Sequence, residues 1–193
     1  ARAFFSNGME VDVYDTVTGT WTSNTQPPIL ASSGMATYDR DWIATTVGTK
    51  ALFTNGFDVH TYDDASDSWS AATLAQGRRN LSVASVGAKA IFAGGRNAGV
   101  DLDLVEIYDD STGSWTTAQL SLGRMGAVAT SVGSKVLIAG GYSSLTLDSS
   151  DVVDIYDSAS GVWSTATLSA RRLSMEAVTI GTKAVFVGGQ RVG

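Results

Sequence analysis

The chain has 193 residues, of which 44% are hydrophobic and 17% charged, so it carries enough apolar material for a buried interior and too little polarity for a disordered segment. A net charge of −6 argues against binding nucleic acid phosphates or an anionic membrane surface, and the lack of cysteine excludes disulfides, thiol nucleophiles and cysteine-ligated metals. No apolar run approaches the roughly 20 residues of a membrane helix, so no membrane insertion is expected. The amino end has no charged-then-apolar leader pattern, and a start at Ala1, inside what proves to be a repeat, suggests a processed protein or a piece of a longer one.

In chain order, RAFFSNG from Arg2 is a short apolar run closing on glycine, and VDVY from Val11 alternates apolar and polar residues as a strand nearer a wet edge does. That strand runs into YDTVTGTW, which reads as a turn. Aspartate bonds backbone amides two residues on, and the glycine two before the tryptophan takes a positive φ. Trp21 opens a further strand, its ring expected to fill the gap between sheets and its N–H to seek a partner. Next comes TSNTQPPILASSGMATYDRDW, holding the only prolines, Pro27 and Pro28, which break regular pairing. Trp21 stands 35 residues before Gly56, whereas later tryptophans stand 26 before the equivalent glycine, so about nine residues are inserted here. Ile29, Leu30 and Trp42 could meet a partner or cover an outer edge.

From this point the same units return. Lys50, Lys89, Lys135 and Lys183 are the only lysines, and each follows a V-G-x or I-G-x tripeptide, predicting tight hairpins with positive φ at Gly48, Gly87, Gly133 and Gly181. They open KALFTNG, KAIFAGG, KVLIAGG and KAVFVGG, runs apolar enough to be buried on both faces. The alternating strands VHTY, VEIY and VDIY then lead into YDDASDSW, YDDSTGSW and YDSASGVW, with Asp67 standing where the other copies have glycine. Spacings of 48, 46 and 48 residues between Trp21, Trp69, Trp115 and Trp163 fit a four-stranded repeating unit.

Diglycine at Gly94-Gly95, Gly140-Gly141 and Gly188-Gly189, with Tyr-Asp and Trp at similar intervals, resembles the kelch family of β-propellers over the whole chain. Asn7-Gly8 and Asn55-Gly56 depart from diglycine, the asparagines being expected to accept left-handed geometry. The expected fold is an all-β, kelch-type β-propeller: four four-stranded repeats plus one extra strand, in a single segment over residues 1–193. The repeats fall at approximately 1–30, 49–76, 88–122 and 134–169, and 183–189 begins a fifth copy. Five copies of the lysine-type strand, Arg2 leading the first, accompany four of each other strand. Since kelch-like propellers usually have more than four blades, the resemblance implies part of a larger ring, or closure through another chain.

Some propellers of this type are copper-radical oxidases, but that chemistry needs a cysteine-linked tyrosine and several histidines, and this chain has no cysteine and only His60. A serine-histidine-acid site around His60 and Asp58 is conceivable. His60, however, occupies the strand position held by Asp12, Glu106 and Asp154 in the other repeats. The turn also resembles the aspartate box of sialidases, with different spacing and no accompanying acid and nucleophile. No enzymatic activity and no cofactor are therefore expected.

Nine residues before the hairpin glycine stand Arg78, Arg124 and Arg172, with Asp39 beside Arg40 at that place in the first repeat. The resemblance puts this loop and the connection after diglycine around one opening of the ring, where partner proteins dock. It implies that these arginines meet a partner's carboxylates; the alternative is that each pairs with a local acid or backbone carbonyl and secures its blade. The longer connections of the third and fourth repeats add Asp101, Asp103, Asp148 and Asp151. Their spacing is compatible with calcium, but no glycine-hinged loop accompanies it, so they read as partner-facing loop acids and no metal site is expected. The sequon Asn80-Leu81-Ser82 is readily produced by chance in a chain this rich in serine and threonine. The expected function is a non-enzymatic, protein-binding platform. The alternatives are a structural or accessory subunit of a large assembly, and a carbohydrate-binding propeller.

Overall fold

The computed structural model describes residues 2–6, 10–25 and 42–193; Asn7-Gly8, Pro27, Pro28, Ile29, Leu30, Asp39 and Arg40 lie outside the described residues. Among the described residues every regular element is a strand. They group into two compact units, Ala1–Gln76 and Gly77–Gly193.

In the first unit, β1 (Arg2–Ser6), β2 (Glu10–Asp15) and β3 (Thr20–Thr25) form a three-stranded antiparallel sheet. Strands β4 (Ile43–Val47), β5 (Lys50–Thr54), β6 (Asp58–Asp63) and β7 (Ser68–Thr73) form a four-stranded one in sequence order. Val11 and Val13 are buried with Ala51 and Phe53, under the rings of Trp42 and Trp69.

In the second unit, one sheet contains β8 (Ser82–Val86), β9 (Lys89–Ala93), β12 (Leu104–Asp109) and β13 (Ser114–Gln119). Between β9 and β12 the chain makes a small hairpin of β10 (Arg96–Asn97) and β11 (Val100–Asp101). The next sheet contains β14 (Val128–Val132), β15 (Lys135–Ala139), β18 (Val152–Asp157) and β19 (Val162–Thr167), with β16 (Tyr142–Ser143) and β17 (Asp148–Ser149) as its small hairpin. Strands β20 (Leu173–Ile180) and β21 (Lys183–Gln190) form a two-stranded sheet. The expected strand complement is thus present, divided as a three-stranded sheet, three four-stranded sheets and a final pair.

The repeat is kept in register. Phe5, Phe53, Phe92 and Ile138 stand opposite Asp12, His60, Glu106 and Asp154 respectively. Two left-handed positions close each unit. Gly48, Gly87, Gly133 and Gly181 have φ between 57° and 58°, and in the Tyr-Asp turn Gly113 at φ 70° donates its N–H to the carbonyl of Asp109 at 2.8 Å. The carboxylate of Asp109 accepts the amide of Ser111 at 3.0 Å, and Asp67 takes φ 49° in place of glycine. Tyr108 and Trp115, paired across the turn, have ring centroids 5.3 Å apart, and Trp115 lies 5.4 Å from Phe92.

Three local expectations are corrected. The strand ending in tyrosine is not a wet edge: Val59, Val105, Glu106 and Asp154 are buried, because a fourth strand covers its outer side and its acids have arginine partners. In the four-stranded sheets the solvated strands are the last ones, β7, β13 and β19. Asn55 does not take left-handed geometry. Gly56 does, at φ 91°, while the Asn55 side-chain oxygen accepts the amides of Phe57 and Asp58 at 2.9 and 2.8 Å. Finally, the indole N–H of Trp69 is buried without an acceptor.

Within the second unit the sheets stack face to face. Ala84, Val86, Ile91, Ala93, Val105 and Ile107 pack against Val136, Ile138 and Tyr156 of the following sheet. Ala139 and Val153 of that sheet pack in turn on Met175, flanked by Phe186. Each fully buried valine or isoleucine stabilises the stack by about 1.5–3 kcal/mol.

Candidate functional site

The arginines lie just ahead of the innermost strands, and two of them turn inward. Arg78 donates from Nη1 to Oε2 of Glu106 at 2.5 Å and from Nη2 to the carbonyl of Phe92 at 3.2 Å. Arg124 pairs through Nη2 with Oδ2 of Asp154 at 2.7 Å and donates to the carbonyls of Ile138 at 2.9 Å and Leu122 at 3.1 Å. Both arginine side chains are 0% exposed. The other carboxylate oxygen of Asp154 accepts the amide of Ser121, on the preceding sheet's outgoing chain, at 2.9 Å. Burial pushes the Arg124 guanidinium down from its ordinary pKa, with Asp154 opposing that shift. Removing one member of such a pair strands a buried charge, so these two arginines secure their sheets and present no guanidinium to a partner. Arg172 differs: it is half-buried, and Nη1 donates to the carbonyl of Gly188 at 3.3 Å.

The backbone of the same positions ties one sheet to the next. Gly95 and Gly141 donate their N–H groups to the carbonyls of Arg124 and Arg172, both at 2.9 Å. The glycine before each must come close to the same oxygen: a Cβ on Gly94 would lie 2.6 Å from the Arg124 carbonyl, and one on Gly140 would lie 2.5 Å from that of Arg172.

The four loop acids separate into two kinds. Asp103 and Asp151 are half-buried, and their carbonyls accept the amides of Leu120 and Leu168, both at 2.7 Å. Asp101 and Asp148 use their carboxylates. Asp101 accepts the amide of Ser144 at 2.6 Å and lies 3.4 Å from Nε of Arg96, so it joins the β10–β11 hairpin to the loop after β16. Asp148 pairs with Arg171 at 2.6 Å and Arg191 at 3.6 Å, and Arg171 holds its carboxyl below the usual aspartate pKa. Among the described residues no three His, Asp or Glu side chains gather as a metal site. His60 is buried in β6, 5.3 Å from the ring of Trp42, and burial pushes its pKa below the usual histidine value against the opposing pull of Asp58.

Residues 77–119 and 123–167 match the Kelch motif. These are kelch repeats. The solved structure of YjhT is similar over 100% of this chain and 74% of its own, with a TM-score of 0.69 at 17% identity, a likeness of fold. No curated protein matches the chain. With its four-stranded antiparallel sheets and no helix among the described residues, the chain has the kelch-type β-propeller fold.

Around the kelch arginines the exposed surface is made by neighbours to which the sequence reading gave no binding role. Arg79 and Asn80 follow Arg78 and are exposed, Asn80 at φ 54°, the place taken by Gly126 at 63° and Ser174 at 56° in the next two repeats. Arg96 and Asn80 both direct N–H groups at the sulfur of Met125, at 3.8 and 3.9 Å. The small hairpins of these two kelch repeats carry Val100, Leu145 and Leu147 at their tips, 60%, 83% and 69% exposed. The signal for them was present: apolar residues between a diglycine and the next strand, where the chain must cross the surface.

Proposed function

We propose that the chain is a non-enzymatic platform that binds a protein partner on the loops following diglycine. The observation that carries this reading is the pair of hairpin tips bearing Val100, Leu145 and Leu147, held side by side by the bond from Ser144 to Asp101 and flanked by the exposed Arg79 and Arg171. Large apolar side chains at adjacent loop tips are a poor arrangement for solvent and a good one for a partner. In this reading Arg78 and Arg124 support the platform from below, Asp101 and Asp148 brace its hairpins, and contact falls to the tips and to arginines such as Arg79. Kelch repeats generally serve as interaction scaffolds, which supports the same reading.

The test is affinity capture from the native source, with quantitative mass spectrometry, comparing the wild type with a Val100→Asp, Leu145→Asp, Leu147→Asp variant. Val17→Asp, in the exposed turn after β2, serves as the control. A partner retained by the control and lost by the triple variant is expected. Identical capture by all three proteins would remove the loop platform. Charge reversal at Arg78 or Arg124 is unsuited to this question, since it tests folding.

A second reading, a subunit of a larger assembly, is favoured by one observation. Val178, Ile180, Val185 and Val187 are exposed together on one face of the β20–β21 sheet.

A further inference from the structure

The four methionines meet different surroundings. Met9 and Met35 lie outside the described residues, and Met175 is 3% exposed, packed on Ala139 and Val153. Met125 is half-buried, directly after Arg124, at the place held by Arg79 and Leu173 in the adjoining repeats. Its backbone is fixed there by bonds in both directions with Tyr142, at 3.0 and 2.9 Å.

Two side chains of the preceding repeat aim N–H groups at the Met125 sulfur: Nη1 of Arg96 at 3.8 Å and Nδ2 of Asn80 at 3.9 Å. A thioether is a weak acceptor, so neither donor gains much from it. Arg96 is poorly served elsewhere as well. Its Nε stands 3.4 Å from Oδ1 of Asp101 and is buried without a hydrogen bond, while Nη2 donates to the Gly99 carbonyl at 3.1 Å. Asn80 is held beside Met125 by its own carbonyl, which accepts the Gly126 amide at 2.8 Å. A guanidinium and a carboxamide converging on one sulfur suit an oxygen on that sulfur better than the sulfur itself.

We propose that Met125 is a modification site, oxidised to the sulfoxide by hydrogen peroxide, with Arg96 and Asn80 holding the sulfoxide oxygen. A lone pair of the thioether attacks one peroxide oxygen, and the S–O bond forms as the O–O bond breaks. The departing hydroxide takes the proton of the transferred oxygen and leaves as water. The sulfur is thereby oxidised by two electrons and the peroxide reduced. Both donors point to where negative charge gathers on the peroxide oxygens, and the product offers Arg96 a charge-assisted bond in place of a weak one. The new sulfur centre is chiral, so an oxygen fixed toward Arg96 and Asn80 belongs to one epimer. Oxidation adds a strong link between the β10–β11 hairpin and the next sheet, and the sulfoxide reductase specific for that epimer removes it. The inference stands apart from the loop platform, since it needs no partner.

The test treats the folded chain with hydrogen peroxide and measures sulfoxide at each methionine by peptide mapping with mass spectrometry. The epimers at Met125 are told apart by exposing the digested peptides to the two stereospecific reductases. Met125 is expected to react about tenfold or more faster than Met175, which burial protects. One epimer is expected in roughly fivefold excess, the worth of one ordinary hydrogen bond. Asn80→Gly and Arg96→Ala should each lower that excess, and together bring the epimers to near equality. Glycine keeps the turn at φ 54°, since Gly126 already fills the equivalent place. Equal epimers in the unaltered chain, an excess that survives both substitutions together, or oxidation no faster than at Met175 would overturn the proposal. Should Arg96→Ala loosen the β10–β11 hairpin by itself, Asn80→Gly alone still decides the matter through the epimer ratio.

Discussion

The hairpins β8–β9 and β20–β21 are written in the same pattern and meet different surroundings. Ala84, Val86, Ile91 and Ala93 are buried against the next sheet, while their counterparts Val178, Ile180, Val185 and Val187 are exposed. Arg78 beneath the first hairpin has Glu106, and Arg172 beneath the second has a backbone carbonyl. The repeat fixes which residues are apolar or charged, and the neighbouring strand or sheet turns that character into stability. Equivalent substitutions in the four-stranded sheets and in the two-stranded one should therefore differ in cost.

The largest difference is expected at the arginines. Arg124→Ala leaves Asp154 buried and unpaired and should cost about 3–5 kcal/mol in urea denaturation, while joint Arg124→Met and Asp154→Leu should recover most of it. Arg172→Ala breaks no ion pair and should cost about 1 kcal/mol or less. Equal losses at the two sites would mean that the acid is not what gives Arg124 its weight. Next comes the core: Ile91→Ala should cost about 2–5 kcal/mol, and Val185→Ala at the same register about 0.5 kcal/mol or less. If Val185→Ala proves as damaging as Ile91→Ala, that face is covered in solution, and the oligomeric state of the protein would show by what.

The diglycine contrast is smaller. Alanine at either Gly94 or Gly188 must adopt a positive φ, 65° or 72°, at a cost of about 1–2 kcal/mol. At Gly94 the added Cβ also meets the Arg124 carbonyl at 2.6 Å, whereas at Gly188 nothing lies within 4 Å. Gly94→Ala should thus lower the thermal midpoint clearly more than Gly188→Ala, and matching shifts would reduce the diglycine's role to backbone conformation.

Most of the fold was legible because its signals are local and recur. Four lysines after Gly-x, four Tyr-Asp turns and four tryptophans at near-constant spacing fix the hairpins, and their φ values and registers follow. The site was legible only in part. Arg78, Arg124 and Arg172 stand out equally in the sequence, yet whether each faces a partner or an acid depends on a strand some 30 residues later, as Glu106 lies 28 residues from Arg78. Alternation in VEIY suggested a wet strand because period two reports polarity, and polarity does not distinguish solvent from a buried ion pair. Leu145 and Leu147 were missed for the converse reason: apolar residues imply burial until the path of the loop is known.

The smallest effect is electrostatic and appears only in acid. Lys89, with added help from Ser111, holds the Asp109 carboxyl at about 2, and Lys135, followed by the Ala159 amide and Ser134, holds Asp157 at about 2, against an ordinary value of 3.8. A carboxyl whose folded pKa is depressed contributes its stability above 3.8 and loses it as pH falls from there toward about 2. Both groups are solvent-facing, so the contribution is slight and best read site by site in an NMR titration. Lys89→Met should move the Asp109 midpoint part of the way back toward 3.8, the bonds from Ser111 keeping the remainder. Lys183→Met, at the same place in the two-stranded sheet, should leave every carboxyl midpoint where it was. A change there would reveal an acid already opposite Lys183.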